Sequence, residues 1–79
     1  MDRRYCNRIC TEIMNWAKCD KPNEQTGVRY YEKSAREIEA KLCNYYLPNG
    51  IIGTKEYCYI FGRICIDALA VGGEDFFRV

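Results

Sequence analysis

Three cysteines lie in the stretch CNRICTEIMNWAKC, residues 6–19, and three more follow at Cys43, Cys58 and Cys65. Cysteines at such density can hold a metal, form disulfides or supply a nucleophile. Cys6-x₃-Cys10 has a spacing that zinc sites use, but such sites draw their remaining ligands from histidines or a second close cysteine pair. The chain has no histidine and no second such pair. A disulfide framework has the right parity, yet the spacing of these residues is helical. Cys6 and Cys10 are one helical turn apart, and Cys58 and Cys65 two turns apart, so each pair shares a helix face. Both faces are apolar. Buried cysteine behaves as a small hydrophobe, so Cys6, Cys10, Cys58 and Cys65 are expected in the core. Cys19 falls on the polar side of its helix and is the thiol expected to be exposed.

Other chemistry is sparse. Without histidine the usual general base at neutral pH is missing. A cysteine nucleophile needs a nearby cation or helix start to lower its pKa. Cys6, close to Arg3 and Arg4, is the one candidate, and its apolar facing opposes that role. The glycine-containing stretches GIIG at 50–53 and VGGE at 71–74 match neither a phosphate loop nor a dinucleotide fingerprint. The carboxylates of Glu37 and Glu39, and of Glu74 and Asp75, are two and one residues apart and do not share a helix face. The residue types therefore point away from an enzyme, and they call for no cofactor and no metal.

Seventy-nine residues make a single domain, 1–79, with a narrow margin for a core. Twelve basic and eleven acidic residues are interspersed, giving a formal charge of +1. No basic face stands out for phosphate neutralisation, so a nucleic-acid partner is not expected. No signal-peptide core follows Arg3-Arg4, and no apolar run approaches the length needed to cross a bilayer. A soluble cytoplasmic protein without membrane contact is the expectation, in a compartment that keeps thiols reduced.

Three elements must position these residues. Asp2 is a cap for a first helix over 2–18, whose apolar half carries Tyr5, Cys6, Ile9, Cys10, Ile13, Met14, Trp16 and Ala17. DKPNEQTG, residues 20–27, reads as a loop, and GVRYYE, 27–32, as a short extended piece. Ser34-x-x-Glu37 is a capping box for a second helix over 34–46, with a stripe of Ala35, Ile38, Leu42, Tyr45 and Tyr46. Thr54 caps a third helix over 55–71, which Gly72-Gly73 stops. The run EYCYIF, 56–61, also has the composition of a strand, but its length and caps favour helix. The fold class expected is a small all-α domain of three helices, with a possible pairing of 27–32 against the tail 74–79.

The third helix is apolar nearly all round, apart from Lys55, Glu56, Arg63 and Asp67. Such a helix needs cover on every side, and two short helices supply too little, so either the loops and the tail EDFFRV fold over it or a second copy does. Of these the second copy, a homodimer, is the leading expectation. Tyrosine is abundant, seven residues in 79, and tyrosine is enriched where proteins meet. A partner surface is expected to draw on Tyr30, Tyr31, Tyr57, Tyr59, Arg63 and Ile66. The leading expectation is a small non-enzymatic protein-binding module. Phages and mobile elements encode short proteins of this kind that inhibit a host defence enzyme, an analogy of size alone. One alternative is a helical DNA-binding regulator. Another is a ligand- or nucleotide-binding homo-oligomer, with Arg29 and Arg36 holding phosphate.

Overall fold

The computed structural model describes residues 3–47, 54–72 and 74–78. Among the described residues three helices carry the fold: α1 (Arg3–Ala17), α2 (Ala35–Lys41) and α3 (Lys55–Ala70). The α2 helix continues into a π-helical turn, Leu42–Tyr46, and a 3₁₀ turn, Glu74–Phe77, follows α3. The expected cap Asp2 and Gly73 of the expected Gly72-Gly73 stop lie outside the described residues.

The caps form as their residue types dictate. Ser34 Oγ accepts from the Glu37 amide at 3.3 Å while Glu37 Oε2 accepts from the Ser34 amide at 2.8 Å. Thr54 Oγ1 accepts from the Tyr57 amide at 3.3 Å. Gly72 takes a positive φ of 76° just past α3, the left-handed conformation that ends helices. Residues 56–61 are helical, which excludes the strand reading of EYCYIF.

Helices α1 and α3 lie side by side and run in the same direction. Asn7 meets Tyr59, Cys10 meets Ile60, and Lys18 reaches Asp67. The seam between them is apolar at helical spacing. From α1 come Cys6, Ile9, Cys10, Ile13 and Ala17; from α3 come Tyr57, Ile60, Ile64 and Ala68. Ile38, Leu42 and Leu47 close the core from the second helix, and Tyr31 and Phe76 from the loop and tail.

Buried spacing in the second helix steps from Ile38 to Leu42 by four residues, then to Leu47 by five. The π-turn accounts for the longer step, since the Leu47 amide donates to the Leu42 carbonyl at 2.7 Å. A continuous α-helix would have kept Tyr45 on the stripe. The extra residue turns Leu47 inward and leaves Tyr45 74% exposed.

Among the described residues the expected pairing of 27–32 with 74–79 does not form. Among the described residues the extended piece pairs instead with the end of α1, through an isolated antiparallel bridge between Lys18 and Tyr31. The Cys19 amide donates to the Tyr30 carbonyl at 2.7 Å, and the Glu32 amide to the Ala17 carbonyl at 2.8 Å. Asn23 makes that return possible. Its side-chain oxygen accepts from the Gln25 and Thr26 amides, and Gly27 closes the turn at φ 72°. The tail still reaches the loop, by side chains: the Phe76 ring meets Tyr31 edge-on at 5.5 Å.

Three cysteine placements need correction. Cys58 is exposed and Cys65 half-buried, so only Cys6 and Cys10 are core residues. The apolar composition of α3 hid the direction in which Cys58 points. Cys19 is half-buried, its carbonyl accepting from Arg29 Nε.

Candidate protein-contact surface

Of the expected contact residues, the structure places Tyr31 and Tyr57 inside. Tyr31 Oη donates to Asp67 Oδ2 at 2.8 Å, and Tyr57 Oη to Glu39 Oε2 at 2.6 Å. Burial first, and then the neighbouring carboxylate, push both phenol pKa values well above the usual tyrosine range. Both tyrosines tie elements together and present no surface. Tyr30 is exposed on the loop. Tyr59 is half-buried, with Oη donating to Asn7 Oδ1 at 2.9 Å. Arg63 is exposed and donates to the same Asn7 oxygen.

Ile66 is 69% exposed and Leu69 68%. Beside them a shallow groove of about 340 Å³ runs between α1 and α3, lined by Met14, Arg63, Ile66, Asp67 and Ala70. The two arginines weighed for phosphate are placed differently. Arg29 is half-buried and bound to the Cys19 carbonyl, and Arg36 stands exposed on α2.

The residue pattern does not predict a second patch that the structure forms. Trp16, on the α1 half that the pattern assigns to the core, is 37% exposed. The ammonium groups of Lys33 and Lys41 lie 5.2 and 4.6 Å from its ring centroid. The same Lys41 is 4.8 Å from the ring of Tyr45. A hollow of about 320 Å³ opens there, lined by Trp16, Glu37, Ala40, Lys41, Asn44 and Tyr45. Cation–ring contacts hold both aromatics in the open. The i, i+4 spacing of Lys41 and Tyr45 is a readable signal. The π-turn that swings Tyr45 outward, and the approach of Lys33 to Trp16, are not.

Arg3, Cys6, Lys55, Glu56 and Tyr59 line a third hollow, of about 370 Å³, where the starts of α1 and α3 meet. Among the described residues no three Cys, Asp or Glu side chains cluster as metal ligands, and no helix is long and apolar enough to cross a membrane. Comparison with protein-family models, with curated proteins and with solved structures finds no match for this chain.

Proposed function

We propose that this chain is a non-enzymatic protein-binding module that engages its partner through the patch formed by Trp16 and Tyr45 with Lys33 and Lys41. The observation that carries this reading is the pair of exposed rings, Trp16 on α1 and Tyr45 on the π-helical turn, that share a contact with Lys41. Tryptophan and tyrosine dominate the energetics of protein interfaces, and π-turns recur at functional positions. The lysines make acidic residues the complementary chemistry on the partner. Such a contact suits an accessory protein that inhibits an enzyme by covering part of its surface. The DNA-binding alternative draws no support from α3, whose outer side carries Ile66 and Leu69 in place of base-reading polar groups.

A photo-reactive amino acid at the exposed Asn44 tests the proposal in cells of the native host. The expected product is a cross-link to another protein, lost when Trp16→Ala and Tyr45→Ala are combined. The double variant should keep the helical circular dichroism of the parent. Cross-links to nucleic acid alone, or protein cross-links that survive the double substitution, would overturn the reading.

A further inference from the structure

We infer that the outer face of α3 is covered by α3 of a second copy of this chain, the two helices packed antiparallel with Gly62 of each against Cys65 of the other. This surface is separate from the Trp16 patch, and the inference does not rest on that reading.

Spacing is the first ground. Cys58, Gly62, Cys65 and Leu69 follow one another at four, three and four residues, the interval of a helix–helix seam. All four are uncharged, Cys58 and Leu69 are exposed, and Ile66 widens the seam on its outer side. The charges at its flank are already engaged within the chain. Arg63 is held by Asn7, and Asp67 by Lys18 and Tyr31. Closing the seam therefore leaves both of these ions with their partners.

Gly62 is the second ground. Glycine in a helix interior weakens the helix relative to alanine. A Cβ added at Gly62 would meet no atom within 4 Å among the described residues, and its φ is not in the left-handed region. Nothing described within the chain makes use of the missing side chain. A second helix backbone approaching from outside would use it.

Charge selects the occupant and its direction. Lys55 is the first residue of α3 and exposed, so its cation stands in the positive end of its own helix field. Glu56, in the same turn, offsets that cation only in part, and the last turn of α3 has no basic residue of its own, the nearby Lys18 being engaged by Asp67. An antiparallel second copy corrects both at once. In the register that sets Gly62 opposite Cys65, Cys58 faces Leu69 and Lys55 faces the final turn of the other helix, twice by symmetry. Parallel pairing would set Lys55 against Lys55. The seam spans only α3, so the dimer should be concentration-dependent rather than obligate.

Sedimentation equilibrium from low micromolar to near-millimolar protein, under reductant, reads the association directly. The expected result is a monomer–dimer equilibrium. Gly62→Leu should abolish it while thermal stability stays equal or rises, because the added side chain enters open space. Lys55→Glu should weaken dimerisation at least several-fold while favouring its own helix. For direction, Leu69→Cys should give, on mild oxidation, a covalent dimer whose mapped disulfide joins Cys58 of one copy to the introduced thiol of the other. A parent protein that stays monomeric throughout would overturn the inference. So would a dimer indifferent to Gly62→Leu, or a Cys58–Cys58 link in the parent, which reports parallel packing. Cross-linking at Asn44 is read separately, so either proposal can fail without the other.

Discussion

Tyr31 and Asp67, 36 residues apart in the chain, share a hydrogen bond of 2.8 Å in which the phenol donates to Oδ2. Lys18 Nζ lies 3.3 Å from the same oxygen, so one carboxylate of α3 gathers the end of α1 and the loop that returns beside it. The Tyr31 ring is buried and meets Phe76, which places the C-terminal turn against the same point. Three segments that cannot form a core alone are joined there.

The two partners of Asp67 are not equivalent. A hydrogen bond to a charged acceptor contributes about 1.5–3 kcal/mol, whereas a partly exposed ion pair contributes about 0–1 kcal/mol. Tyr31→Phe, with Lys18 still in place, should cost about 1.5 kcal/mol, a fall of roughly 6–12 °C in Tm for a domain of this size. Lys18→Met should cost less than half of that. Thermal melts of the two variants decide the order, and a larger loss for Lys18→Met would refute it.

Stability should fall in alkali. Tyr31 and Tyr57 keep their protons in the folded chain above the usual tyrosine range, because burial and the carboxylates of Asp67 and Glu39 oppose phenolate. An unfolded tyrosine ionises at about pH 10. Above that value the unfolded chain releases protons that the folded chain retains, so stability is full below about pH 10 and declines as pH rises. Urea denaturation at a series of pH values should show this slope in the parent and a shallower one in a Tyr31→Phe, Tyr57→Phe double variant. Equal slopes would remove these two residues as the cause.

Adjacent phenylalanines in the tail should behave differently. Phe76 is fully buried between Tyr31 and Phe61, whereas about half of Phe77 is exposed. Phe76→Ala should cost about 3–5 kcal/mol through lost burial and a cavity. That approaches the whole stability expected of a small domain, about 5 kcal/mol at the low end. Phe77→Ala should stay within about 1 kcal/mol. Comparable chemical-denaturation midpoints for the two variants would show that the 3₁₀ turn does not close the core.

Alkylation should rank the cysteines by access. Cys58 is exposed and should react first. Cys10 is buried, and burial pushes its thiol pKa up, as it does for the half-buried Cys65. Timed labelling read by peptide mass should leave Cys10 unmodified until the chain is denatured. Labelling of Cys58 should slow as protein concentration rises if α3 pairs with a second copy. Native Cys10 reacting as fast as Cys58 would contradict the packing of α1 on α3.

The helices were legible because their signals are local. Apolar residues at the spacing of Cys6, Ile9, Ile13 and Ala17 define a face without reference to anything distant. Ser34-x-x-Glu37 and Thr54 cap by contacts within one turn, and Gly72 stops α3 by its own backbone freedom. What escaped depends on neighbours far along the chain. Trp16 reads as core by its position on α1, yet the approach of Lys33 and Lys41 keeps its ring at the surface. Tyr31 reads as a contact residue by its type and its place in a short extended piece, yet Asp67 and Phe76 draw it inside.

By itself, then, the sequence determined three helices, the caps at Ser34 and Thr54, the stop at Gly72 and most of the inward residues of α1, because periodicity and capping act over a few residues. It also removed histidine-based chemistry outright. Tertiary structure decided the rest: the parallel pairing of α1 with α3, the bridge from Lys18 to Tyr31, and the π-turn that buries Leu47 and exposes Tyr45. It also decided which side of α3 is left uncovered. The reason is physical. A nearly all-apolar helix carries no periodic mark of its inner face, so the choice falls to the few partners that can reach it, here Asn7, Lys18 and Tyr31.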